Sequence, residues 1–214
     1  HGKSAWPENI ADYNRPLRKR GRKAALAMGQ WLLDEHLIPD WIVSSQADRA
    51  RETAEKVCKG LKLNPAKHLV FDDRIYEAGL NDLKRVLADC PSYKHCVLLI
   101  GHNPGLDALL MDLAGQKLEF DQEGKVLGTA HLARLSLPDD WSRLESGCGE
   151  LTAIIRPGDL CNQTAANLET ESPDKVQEPE QEPLMLPEVV ERDNFIQRCL
   201  SRLKIRRVTN QKSS

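Results

Sequence analysis

Three short apolar segments, each followed by a longer segment of helical periodicity, constrain the fold of this chain most. "WIVSS" (41–45), "HLVFDD" (68–73) and "CVLLIGHN" (96–103) are runs of apolar, often β-branched residues bounded by polar ones. Runs of that length and composition form buried strands. After the first, "QADRARETAEKVCKGLKL" places Ala50, Thr53, Ala54, Val57 and Leu61 on one helical face, closed by Gly60 and Asn64-Pro65. "LNDLKRVLADC" and "PGLDALLMDLAG" carry the same periodicity, the latter with Pro104 near its first turn. Ahead of them, 15–37 sets Ala24, Met28, Trp31, Leu32 and Leu37 on one face, and "IPD" ends that helix.

Strands alternating with helices predict a three-layer α/β domain, with a mainly parallel central sheet and helices on both faces. "CVLLIGHN" is the most apolar run and reads as a central strand. "TAHLARLSL" (129–137) and "GELTAIIRP" (149–157) suit an antiparallel pair. This domain is expected to span 1–160. Residues 161–191, rich in Glu, Pro and Gln, read as a disordered linker. Residues 192–214 are basic, with Phe195, Ile196, Cys199, Leu200 and Leu203 on one helical face. Such a tail can dock a partner, lie on a membrane surface, self-associate or pack back on its own domain.

A net charge of −2 and a pI near 6.3 give no nucleic-acid footprint. No apolar run approaches the roughly 20 residues of a membrane-spanning helix. Six cysteines without C-x-x-C spacing argue against a structural zinc site and against a disulfide framework. They read as reduced thiols of a cytoplasmic protein, with no metal or cofactor expected.

In an open parallel sheet, ligands bind beyond the carboxyl ends of the strands. His102 lies where a strand passes into a helix, flanked by Gly101 and Gly105, which let a ligand approach the backbone. Arg49 falls in the first turn of a helix, where a cation opposes the helix dipole. It therefore needs an anionic partner, either an acidic side chain or a bound phosphate, and the planar fork of arginine suits phosphate. Beyond the second strand, Asp72 and Asp73 read as an exposed acidic loop, and a carboxyl of this stretch could donate a proton.

"HGKSAW", "RPLRKRG", "SSQADRARETAE" and "LIGHNPG", in that order and spacing, resemble the histidine phosphatase superfamily, and within it the SixA-type phosphohistidine phosphatases. The resemblance covers about residues 1–160. It implies a pocket of two histidines and arginines, with His1 as nucleophile, Arg49 as phosphate ligand, His102 as second histidine and Arg15 lining the pocket. Glu77 lies near where many members carry the acid that protonates the leaving group; the phosphohistidine branch often lacks it. The implied activity is hydrolysis of a phosphohistidine protein or a small phosphomonoester through a phosphohistidine intermediate. The alternative is a non-catalytic module that binds a phosphorylated ligand while its tail docks elsewhere. An N-terminal histidine can also chelate copper, but the proteins that use it so resemble β-sandwiches, and this chain alternates α and β.

Two departures stand out. Gln46 replaces the proline of the usual Ser-Ser-Pro. The family also carries an arginine and a whole strand ahead of the nucleophilic histidine, whereas this sequence starts at His1. The expectation is a truncated product with a gap in its sheet, less active than the intact one.

Overall fold

Strand β1 (Trp41–Ser44) organises the domain. It pairs in parallel with β2 (Leu69–Phe71) on one side and with β3 (Val97–Ile100) on the other, in register Ile42 to Leu69 and Ile42 to Leu98. Successive side chains of a strand point to opposite faces. Ile42 accordingly enters one core, with Ala25, Leu32, Ala54 and Val57. Val43 enters the other, with Leu83, Val86, Leu109 and Leu113. Helices α1 (Lys19–Asp34) and α2 (Asp48–Gly60) supply the first layer. Helices α4 (Leu80–Ala88) and α5 (Gly105–Ala114) supply the second. A single turn, α3 (Pro65–His68), leads into β2. This computed structural model describes residues 1–116, 118–121 and 124–160, all within one compact unit that runs from His1 to Ser172. The linker and tail expected over 161–191 and 192–214 lie outside the described residues, as do Cys161 and Cys199. The other four cysteines are free thiols. No described helix is long and apolar enough to cross a membrane.

Three expectations shift. Helix α1 begins at Lys19 rather than near residue 15, because Pro16 holds the residue before it, Arg15, in extended backbone (φ −69°, ψ 121°). Its buried face is Gly21, Ala25, Met28, Gly29 and Leu32, while Ala24 is only half-buried. The reason is close packing against α2. A Cβ on Gly29 would lie 2.3 Å from the Val57 carbonyl oxygen, and one on Gly60 would lie 2.5 Å from that of Leu26. The face without side chains has to meet the neighbouring helix.

The third shift concerns the sheet. β1, not β3, is the middle strand of the three. Strands β4 (Leu132–Ser136) and β5 (Glu150–Ile155) form a separate antiparallel pair. An apolar cavity of about 600 Å³, lined by Leu98, Leu99, Leu109, Leu132 and Leu135 among others, separates β3 from β4. The main chain of His1 links the segments that follow β3 and precede β4: its nitrogen donates to the Gly101 carbonyl at 3.2 Å, and its carbonyl accepts from Ala130 N–H at 3.0 Å.

Replacing Gly29 by alanine should force α1 and α2 apart and destabilise the domain by about 1–3 kcal/mol, the usual range for overpacking. Thermal unfolding of Gly29→Ala checks this; an unchanged Tm would mean that the helices separate freely.

Candidate active site

Parallel pairing brings the carboxyl ends of β1 and β3 side by side. The ladder continues past both strands, with Ser45 N–H donating to the Ile100 carbonyl at 3.0 Å. Ser45 and His102 therefore face each other, and Ser45 Oγ lies 2.9 Å from His102 Nε2. One turn into α2, Arg49 reaches back over the same edge. His1 is held there by its backbone contacts to Gly101 and Ala130, and by the neighbouring Gly2 N–H, which donates to Thr53 Oγ1 at 3.0 Å.

The hydrogen bonds of His1 fix its tautomer. Nδ1 lies 2.7 Å from the Gly2 carbonyl oxygen, which can only accept. Nδ1 therefore carries the proton. Nε2 receives a hydrogen bond from Arg49 Nε at 3.2 Å, and an arginine N–H can only donate. The Nε2 lone pair is thus directed into the site, beside a cation. The His102 ring lies 5.0 Å from that of His1, centroid to centroid. Its Nδ1 is buried and has no hydrogen-bond partner among the described residues. Burial pushes the pKa of His102 down to about 3, with the positive charges of Arg49 and of the amino group at His1 adding to it. Both arginines are buried, Arg15 at 7% and Arg49 at 6% exposure.

Arg15 and Arg49 meet on one carboxylate. Asp12 lies in a single 3-10 turn, Asp12–Asn14. Its Oδ1 accepts from Arg15 Nη1 at 2.6 Å, and its Oδ2 accepts from Arg49 Nη2 at 2.8 Å. The Tyr76 hydroxyl donates to the same Oδ2 at 3.0 Å. Partial burial pulls the Asp12 pKa upward, but hydrogen bonds from Arg15 and Tyr76 and the charge of Arg49 outweigh it and hold it below the usual carboxylate range. Arg15 also donates to Ser4 Oγ at 2.6 Å and to the Ala5 carbonyl at 2.9 Å, and its guanidinium stacks 3.1 Å from the centre of the exposed Trp6 ring.

The structure thus brings together His1, Arg15, Arg49 and His102. Glu77 is not joined to them by any hydrogen bond or ion pair: it is exposed, in left-handed backbone (φ 52°), next to Tyr76. Asp72 pairs with Arg74 at the surface. The glycines flanking His102 serve packing rather than ligand approach. A Cβ on Gly101 would lie 2.8 Å from Ile75 Cγ2, and one on Gly105 would lie 2.3 Å from the Ala78 carbonyl oxygen. Sequence reasoning missed Asp12, Tyr76 and the support from Ser4 and Ser45. It placed Thr53 on the buried face of a helix without a polar role, yet its hydroxyl accepts from Gly2 and donates to the Arg49 carbonyl at 2.6 Å. The demand of Arg49 for an anion was the available signal for Asp12.

Residues 1–85 match the family model of the histidine phosphatase superfamily (branch 1), a span that holds His1, Arg15, Arg49 and Glu77. An uncharacterized protein of Mycobacterium tuberculosis is 29% identical over 161 residues, which covers 73% of this chain and 98% of that protein. The solved structure of a candidate phosphohistidine phosphatase SixA from Nakamurella multipartitia is 26% identical, with a TM-score of 0.62 over 73% of this chain and 92% of that one. A protein histidine phosphatase SixA solved with tungstate, 21% identical, shares the fold at a TM-score of 0.62 over 75% of this chain and 95% of its own. Residues 1–85 thus match this superfamily, and the described domain shares the fold of the SixA structure from Nakamurella multipartitia. Phosphatase chemistry is the class of activity that this family and these neighbours support.

Acid should act on the fold through His102. Its folded pKa of about 3 lies below the unfolded value of roughly 6.5, so between the two the unfolded chain takes up a proton that the folded chain refuses. The stability this neutral ring contributes is complete above pH ~6.5 and is lost as pH falls toward ~3. Denaturant titrations at pH 7 and pH 4.5 should show His102→Asn losing less stability between those pH values than the parent; equal losses would exclude the effect.

Proposed function

We propose that this protein is a phosphatase that hydrolyses a phosphohistidine or a small phosphomonoester through a phosphohistidine intermediate on Nε2 of His1. The observation that carries the reading is the fixed tautomer: Nδ1 bonded to the Gly2 carbonyl, and an unprotonated Nε2 beside Arg49. A neutral imidazole held this way is a ready nucleophile.

In the first step Nε2 attacks phosphorus, the P–Nε2 bond forms, and the bond to the leaving oxygen or nitrogen breaks with its electron pair. Negative charge on the three equatorial oxygens is stabilised by Arg49 and Arg15, and their burial strengthens that interaction. His102 remains neutral and lies close enough to His1 to contact the same group. Water then attacks phosphorus, the P–Nε2 bond breaks, and the pair returns to His1. An alkoxide leaving group needs a proton, for which Glu77 is the candidate donor. An imidazole departs more easily, so Glu77 matters less for phosphohistidine. The exposure of Glu77 supports phosphohistidine as the substrate class.

A phosphoramidate donor should label the chain with an acid-labile, base-stable phosphoryl group, and His1→Ala should abolish both the label and turnover. A binding module would keep its ligand and show neither in the parent. Arg49→Ala should lower kcat/KM by about 10²–10³. Glu77→Gln should change phosphoramidate turnover less than about threefold while slowing an alkyl phosphate by about tenfold or more; equal effects on both would assign Glu77 another task.

A further inference from the structure

Every nitrogen of both buried guanidiniums is already engaged. Arg49 donates from Nε to His1 Nε2, from Nη1 to the Asp12 carbonyl and from Nη2 to Asp12 Oδ2. Arg15 donates from Nε to Ala5, from Nη2 to Ser4 and from Nη1 to Asp12 Oδ1. The partners of Arg15 in Ala5 and Ser4 belong to its own buried surroundings. Asp12 is different. Its side chain is 45% exposed, whereas both arginine side chains are 8% exposed. It stands at the end of a stretch, Trp6–Asp12, in which every residue is exposed. One partly exposed carboxylate thus bridges two buried cations with the bidentate geometry that a phosphoryl group would adopt on the same pair.

A phosphoryl group attacked by His1 Nε2 has to lie against the Arg49 fork that Nε2 itself touches. We propose that Asp12 is a resident counter-anion of this site, which an entering phosphoryl group displaces from Arg49 and Arg15, so that Asp12 sets the affinity for phosphorylated ligands. The role rests on the reading of the site as a phosphoryl site. Asp12 answers a need that the empty site creates: two buried cations without an anion would each bear their full desolvation cost. Rotation of its side chain releases Arg15 Nη1 and Arg49 Nη2, while Arg49 Nη1 stays on the Asp12 carbonyl, and the Tyr76 hydroxyl, which donates to Oδ2, would then be free to turn to the ligand. The carboxylate makes the empty site more stable and, by the same amount, weakens every anion that competes with it.

The test is titration of inorganic phosphate into the parent chain, Asp12→Asn and Asp12→Ala, alongside Arg49→Ala, with KM and kcat measured on one phosphoramidate. Both Asp12 variants should bind phosphate about five- to tenfold more tightly than the parent, the range for losing one partly exposed charged competitor, with KM falling in parallel. Two variants of different shape giving one direction would separate charge from local packing. Phosphate binding that is equal or weaker in both variants, in a parent that does bind phosphate, overturns the role of Asp12 and leaves the phosphoryl-site reading intact. So does a collapse of kcat with unchanged phosphate affinity, which would make Asp12 part of the chemical step. If neither the parent nor the variants bind phosphate, or if Arg49→Ala binds it as well as the parent, the phosphoryl-site reading falls and the role of Asp12 falls with it.

Discussion

Parallel pairing on both sides of β1 decides where everything else can be. Parallel strands all point the same way, so their carboxyl ends share one edge of the sheet, and the loops leaving that edge are forced into each other's company. Ser45 after β1, Asp72 after β2 and His102 after β3 come from distant parts of the chain, and the first turn of α2 stands over the same edge. The ladder also requires both faces to be covered, because β1 carries no polar face. Ile42 and Val43 each close a core with two helices. Arg49 is then placed by the packing of Ala50, Ala54 and Val57 on the same helix, and oriented by its hydrogen bonds to His1 and Asp12.

Within that frame the site keeps its charges in balance. Two buried guanidiniums face two neutral imidazoles, and the negative charge comes from Asp12 at the rim. Desolvation and the neighbouring Arg49 keep His102 unprotonated, so the arginines are not opposed by a third cation. A dianionic group that replaced Asp12 there would meet buried donors and positive charge, the condition under which electrostatic stabilisation is largest.

Much of this was legible in the residues. The alternation of apolar runs and amphipathic segments located all five strands and the four longer helices, because strands buried on both faces and helices with one apolar stripe leave periodicities that do not depend on context. His1, Arg49 and His102 were legible through motif order. The face of α1 was not, since Gly21 and Gly29 carry no hydrophobic signal and still make the closest contact with neighbouring backbone. Asp12 was not legible either. It sits in an irregular loop, and only a three-dimensional neighbour, the cation at the start of α2, gives its carboxylate a purpose. The middle position in the sheet belonged to β1, because the most apolar run, β3, has the cavity on its far side. Apolarity records burial, and burial came here partly from leucines across a gap instead of from a paired strand.

The separation of β3 from β4 also divides the domain mechanically. The β4–β5 hairpin is joined to the remainder by side-chain packing of Leu132, Leu135 and Leu137, and by main-chain hydrogen bonds from Gly147 and Gly149 to the last carbonyls of α5, at 2.7 and 2.8 Å. None of its strand amides shares a ladder with the sheet. The hairpin is therefore held to the remainder by packing and these few main-chain bonds, without a shared ladder. A further main-chain bond joins it at the site, where the His1 carbonyl holds Ala130 at the approach to β4. His1, the proposed nucleophile, is thus also a rivet between the two parts of the domain.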